Sequence, residues 1–220
     1  ILGADFSDGV GKNYSVAEIF DLETLEHVCE WVDNRIDPDK FGETLCGLGK
    51  MFNTAFMTVE NNNHGIVTLK VLKDGEFKYP NIRLYSRPSV HRTGDEVTRI
   101  TSLGMKTSAT SRPYIIGKYR KLLSTITLHS PVLVSEMTTF IEHDDGSLSA
   151  EEGCNDDCVI AAAMAFMPLE RAAMQMLPKI DKPKEDWYQS KHNPFLVGNI
   201  IKELRGRMNK YPIDRERQLM

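Results

Sequence analysis

Apolar residues recur along this chain with two different periods, and each change of period marks an element. Ile1 to Asp5 is a short apolar run that ends in an acid. Tyr14 to Leu22, with Val16, Ile19 and Phe20 apolar, reads as a strand, and His27 to Val32 as another. Ser7 to Asn13 and Asp21 to Thr24 are turn-forming stretches between them, so the pattern predicts an antiparallel meander. Asp37-Pro38-Asp39 is a helix start, with an acid at the cap and proline at the first position. Phe41, Leu45, Leu48 and Phe52 then recur at helical spacing. Ala55 to Glu60 is a further apolar run ending in an acid, Asn63 to about Lys73 reads as a helix, and Asn81 to Tyr85 as a short strand.

Residues 86 to 108 are polar and hold Pro88, Gly94 and Gly104, which predicts a hairpin or a mobile loop. Arg112-Pro113 precedes a helix expected from Tyr114 to about Thr125, and Pro131 opens a shorter one to about Thr138. Phe140 to His143 and Ser147 to Ala150 are expected to pair across Asp144-Asp145-Gly146. Asn155-Asp156-Asp157 caps a long apolar helix reaching about Met167 or further, with Pro168 kinking it or opening its next part. The predicted organisation is a domain over 1–177 and a C-terminal tail over 178–220, partly extended or packed on it. The fold class is α/β: a mixed β-sheet, an antiparallel meander then parallel strands, flanked by helices on both faces.

Composition narrows this picture only slightly. Hydrophobic residues are 41% and charged residues 26% of 220, ordinary for a globular protein. No apolar run reaches the roughly 18 residues a membrane span needs, and no secretory signal is visible. The chain opens inside an apparent strand, which suggests a fragment of a longer protein. Cys29, Cys46, Cys154 and Cys158 form no C-x-x-C pair. Buried free thiols fit them better than zinc or a redox motif. A net charge of −4 argues mildly against a nucleic-acid binder, although a local basic groove can surround an acidic metal site.

The candidate chemistry lies in acids at comparable stations. Asp5 ends the first strand, Glu60 ends the strand after the first helix, and Asp156 and Asp157 open the apolar helix. Strand ends and helix starts can converge on one sheet edge, where α/β proteins place their sites. Two hard divalent cations about 4 Å apart need oxygen ligands of this kind. Taken singly, each Asp also reads as a turn former or a helix cap. Glu60, followed by three asparagines, is a poor turn residue and a good ligand.

Four segments in order carry a family resemblance. Gly3-Ala4-Asp5-Phe6-Ser7-Asp8-Gly9-Val10-Gly11-Lys12-Asn13-Tyr14-Ser15 resembles the opening of the nuclease domain in large terminase subunits of tailed bacteriophages. Thr58-Val59-Glu60-Asn61-Asn62-Asn63-His64-Gly65 resembles that family's second acidic motif. Gly104-Met105-Lys106-Thr107 with Ser111-Arg112-Pro113 resembles its segment before the third helix, and Ala150 to Val159 its closing Gly-x-x-Asp-Asp-x-Val motif. The resemblance spans about residues 1 to 167. It implies an RNase H-like fold and a metal-dependent endonuclease. Such an enzyme would cut concatemeric double-stranded viral DNA during genome packaging, by two-metal-ion hydrolysis with little sequence specificity. It implies Mg²⁺ or Mn²⁺, two ions, held by Asp5, Glu60 and Asp157, with Asp156 as the adjacent candidate, and Asp5, Glu60 and Asp157 as the catalytic set. It also implies an N-terminal ATPase domain in the whole protein, a portal and a small terminase subunit as partners, no membrane, and the host cell cytoplasm as location. Two departures stand out: Asn13 occupies a position where many relatives carry an acid, and Asn155 one where His is frequent.

No Gly-x-x-x-x-Gly-Lys-Ser/Thr phosphate loop occurs, since Gly11-Lys12 would need a glycine where Phe6 stands. The candidate DNA contacts are Lys12, Arg87, Arg92, Arg99, Lys106 and Arg112, with Arg83, His91, Lys118, Arg120 and Lys121 nearby in sequence. Each also reads as part of a solvated face. His64 either orients the site or makes an ordinary loop hydrogen bond. Rival functions are another RNase H-like nuclease, such as a junction resolvase, and a non-catalytic docking module of a packaging motor.

Overall fold

The computed structural model describes the backbone of residues 1–7, 13–62, 65–76, 78–90 and 97–169, and the side chains of these except 85–90, 97–101 and 169. The expected tail from 178 onward lies outside the described residues. Strands β1 (Leu2–Asp5), β2 (Ser15–Phe20) and β3 (His27–Asp33) form the expected meander. Helix α1 (Pro38–Met51) crosses over to β4 (Met57–Val59), which pairs with β1 in parallel. The sheet order is β3-β2-β1-β4, so β1 is central and antiparallel on one side only. A single strand supplies the parallel part. Beyond it, isolated parallel bridges from Met57 to Ile82 and from Glu60 to Met105 continue the edge.

Strand alternation sorts the side chains between two cores. Leu2, Ala4, Ala17, Ile19, Met57 and Val59 face α1 and α2 (Gly65–Asp74), packing on Phe41, Leu45 and Leu69. Ile1, Val16 and Phe20 face the other way, against α3 (Ser111–Leu122), α4 (Pro131–Thr139) and α5 (Asp157–Ala165). Helices thus cover both faces, and each fully buried Leu, Ile or Phe contributes roughly 1.5–3 kcal/mol. The polar stretch after α2 forms a hairpin of β5 (Leu84–Val90) and β6 (Val97–Leu103). A smaller hairpin pairs β7 (Phe140–Glu142) with β8 (Leu148–Ala150).

Two helices depart from expectation. Helix α3 begins at Ser111, so Arg112 and Pro113 lie in its first turn, where proline's missing N–H costs nothing. Helix α5 ends at Ala165, and Pro168 sits in a short 3-10 turn, Met167–Leu169, instead of continuing it. Nearly every residue of α5 is buried, and it lies directly on β1. Gly3 permits that approach: a Cβ there would stand 1.9 Å from the Ala161 carbonyl oxygen and 2.4 Å from the Ala165 nitrogen. The helix start is held from outside. Asp156 makes no side-chain cap. Instead the buried Glu136 of α4 accepts hydrogen bonds from the N–H groups of Cys158 (2.8 Å) and Val159 (3.2 Å).

Candidate metal centre

Asp5 and Glu60 meet because β1 and β4 run side by side in parallel. Ala4 pairs with Val59, and the Glu60 N–H donates to the Ala4 carbonyl at 2.9 Å. Since Ala4 and Val59 face α1 and α2, alternation turns Asp5 and Glu60 toward α5. The first turn of α5 brings Asp157 over them, and the Tyr14 N–H fixes Asp157 Oδ2 at 2.8 Å. Asp5, Glu60, Asp156 and Asp157 line one cavity of about 220 Å³, with Ser7, Asn13, Asn62, Thr107 and Arg112 on its wall.

The chain after β6 completes the wall. Gly104 adopts φ of 69°, and a Cβ there would meet the Val59 carbonyl oxygen at 2.5 Å, so only glycine fits comfortably. Past that turn, the Met105 N–H donates to Val59 and the Asn61 N–H donates to Met105, both at 2.8 Å. This pairing delivers Thr107, whose hydroxyl donates to Glu60 Oε1. Asn62 donates to the same oxygen at 2.6 Å and to the Thr107 hydroxyl at 2.8 Å. On the opposite wall Asp156 Oδ2 accepts from Arg112 and from the Ala150 N–H, the latter at 3.2 Å. The Arg112 guanidinium also lies 5.9 Å from the Phe140 ring centroid.

The electrostatics are those of crowded acids. Asp5 and Glu60 are each 8% exposed. Burial, and then the neighbouring Glu60 and Asp156, hold Asp5 well above the usual carboxylate range. Burial also raises Glu60, although its hydrogen bond with Asp5 and the charge of Arg112 oppose the shift. Asp157 is pushed up by burial to about 7, against the pull of the Tyr14 N–H. Among the described residues Arg112 is the one cation on the cavity wall. An all-oxygen donor set this short of positive charge fits hard divalent cations. The four acids line the cavity without forming a tight trio. Among the described residues, the cluster whose donor atoms all lie within 4.8 Å of one another is a different one, Glu18, Glu30 and Cys158.

Of the expected DNA contacts, Arg112 lines the acidic cavity and pairs with Asp156. Lys106 is exposed beside Thr107. Lys12, His64, His91 and Arg92, and the side chains of Arg87 and Arg99, lie outside the described residues. Lys118 donates to the Met167 carbonyl at 3.0 Å. Sequence reasoning did not single out Asn62, Thr107 or Glu136. The first two sit inside the quoted acidic and glycine motifs. Glu136 carries no sequence signal at all.

No protein-family model matches the chain, and no curated protein matches it. Solved structures do. The large terminase nuclease from thermophilic phage G20c with bound magnesium aligns at TM-score 0.57 and 17% identity, covering 75% of this chain and 78% of that one. The same nuclease with bound cobalt aligns at 0.56 and 17%, with the same coverage. The large terminase nuclease domain of Thermus phage P74-26 aligns at 0.55 and 17%, covering 76% of this chain and 77% of that one. The chain therefore has an RNase H-like fold, the one shared by the nuclease domains of these phage large terminases.

Proposed function

We propose that this chain is a metal-dependent endodeoxyribonuclease, the nuclease part of a tailed-phage large terminase subunit, cutting concatemeric duplex DNA with little sequence preference. One observation carries the reading: acids from two adjacent strand ends and one helix start line a single small cavity. In this reading Asp5, Glu60 and Asp157 would hold Mg²⁺ or Mn²⁺, with Asp156 adjoining. The paired ions would supply an activated water and stabilise the leaving 3′ oxygen.

The chain's own groups do the positioning. Thr107 and Asn62 pin Glu60 Oε1, and the Tyr14 N–H pins Asp157 Oδ2, so neither carboxylate is free to rotate. Arg112 offsets Asp156 and presents a guanidinium suited to a phosphate oxygen. A neighbouring groove of about 520 Å³ shares Thr107 and Arg112 with the acidic cavity and runs to the Asp145–Ser149 turn. It offers a path for the sugar-phosphate backbone beside the acids. In the whole protein an N-terminal ATPase would hold the substrate, with portal and small subunit as partners in the host cytoplasm.

The test is nicking of supercoiled plasmid in Mg²⁺ or Mn²⁺ by the chain and by Asp5→Asn, Glu60→Gln and Asp157→Asn. Nicking that disappears in each folded variant is the expected result, and undiminished cutting in all three would refute the site. A strong preference for branched over linear duplex would point to a junction resolvase instead.

A further inference from the structure

Beneath the acidic cavity, on the same face of the sheet, lies a second polar cluster that the proposed nuclease reaction does not use. Glu18 of β2 and Glu30 of β3 are register partners. Each offers a carboxylate oxygen, and Cys158 of α5 offers its sulfur, with these donor atoms all within 4.8 Å of one another. Glu18 and Cys158 are both 0% exposed. His27, 4% exposed, places Nε2 2.8 Å from Glu18 Oε2. Ser130 donates its hydroxyl to Glu30 Oε2. Both oxygens of Glu18 are buried without a hydrogen bond, as is Nδ1 of His27, whose Nε2 also lies 3.0 Å from the Cys29 carbonyl oxygen.

A buried carboxylate facing a half-buried one, with a single histidine beside them, is short of positive charge. A buried carboxylate oxygen without a donor costs several kcal/mol unless something else neutralises it. A proton on Glu18 is one answer, and burial does raise that carboxyl, to about 7. A proton on Glu18 does not by itself account for a sulfur placed beside the carboxyl pair, although the Cys158 thiol also faces the carboxylate of Glu136. Sulfur beside two carboxylates and an imidazole is a donor set for a borderline-soft dication, whereas Mg²⁺ and Ca²⁺ take oxygen.

We propose that Glu18, Glu30 and Cys158 form a buried site for a transition-metal dication of the Zn²⁺ class, with His27 orienting Glu18 from behind. Binding exchanges the Cys158 thiol proton for a sulfur–metal bond, and the proton leaves to solvent. The site ties β2, β3 and the first turn of α5 together. Two of its donors, on Glu18 and Cys158, are fully buried, and Glu30 is half-buried. Cys154, four residues earlier, is exposed and takes no part.

The experiment uses the full chain, stripped with chelator and titrated with Co²⁺ as the visible substitute for Zn²⁺. The expected result is a near-ultraviolet thiolate-to-cobalt absorption that saturates at one ion per chain. Zn²⁺ should abolish it, and excess Mg²⁺ should leave it in place. It should persist in Asp5→Asn and Glu60→Gln, which alter the oxygen-lined cavity, and in Cys154→Ser. It should be lost in Cys158→Ser, and in Glu18→Gln, which keeps the thiol should the serine variant not fold. Absence of the absorption in the folded chain, or its survival in Cys158→Ser, overturns the proposal. Because its readout is sulfur ligation, the result is independent of whether the chain cuts DNA.

Discussion

The two polar clusters under α5 use the same helix in opposite ways. At the sheet edge, Asp5, Glu60 and Asp157 offer only oxygen, around a cavity that opens to solvent. On the neighbouring strand pair β2–β3, Glu18, Glu30 and Cys158 bring oxygen and sulfur together, with Glu18 and Cys158 fully buried. Adjacent residues of the first turn of α5, Asp157 and Cys158, are divided between them. The contrast teaches that accessibility and donor softness travel together. An exchangeable catalytic ion calls for an open, hard site, and a permanent one for a closed, softer site.

The largest expected effect separates the clusters outright. Asp5→Asn, Glu60→Gln or Asp157→Asn should lower plasmid nicking by at least about 10²–10³-fold, the usual cost of removing one preorganised charge. Circular dichroism and thermal melting should show that each variant remains folded. Gly3→Ala should disturb both clusters at once, because its Cβ would strike the backbone of α5 at 1.9 Å. Overpacking of this kind costs about 3 kcal/mol, or on the order of 10 °C in Tm for a chain of this length. An unchanged melting temperature would show that α5 does not lie so close to β1. Thr107→Val touches only the open cluster. Losing the hydroxyl that pins Glu60 should weaken Mg²⁺-dependent cutting about 10–100-fold, with little change in melting.

The smallest effect is in pH. Asp157 rises from an ordinary 3.8 to about 7 on folding. Between those values the metal-free folded chain binds more protons than the unfolded one. Its contribution to stability is therefore complete below 3.8 and is lost as pH rises through 7. Glu18, also raised to about 7, adds to the same decline. Mg²⁺ distinguishes the two. It should raise Tm by a few °C more at about pH 8 than at about pH 5, roughly 2–4 °C for each kcal/mol. That difference should shrink in Asp157→Asn, with Asp5 and Glu60 supplying the remainder, and survive in full in Glu18→Gln.

Much of this was legible in the chain. Alternation alone placed Asp5 and Glu60 at strand ends, and proline and acid marked the start of α1. The closing Asp156-Asp157 pair was correctly set at a helix start. What periodicity could not show is which distant residues meet. Arg112 looked like part of a basic surface, yet folding turns it onto Asp156, 44 residues away. Glu136 falls inside the helix predicted from Pro131 to about Thr138 and drew no reading of its own, because its role as the cap of α5 exists only once α4 packs there. Cys158 read as a buried free thiol for the same reason: its carboxylate neighbours come from β2 and β3, more than a hundred residues upstream.

The parallel pairing of β1 with β4 has a consequence for synthesis. Two of the acids are separated by a whole crossover, and the third is carried by the last regular helix among the described residues. A ribosome-bound chain that has not yet released α5 has a sheet with a bare face and no assembled cavity. Local contacts form early and distant ones late, so the acidic cavity would close only once α5 packs on the sheet.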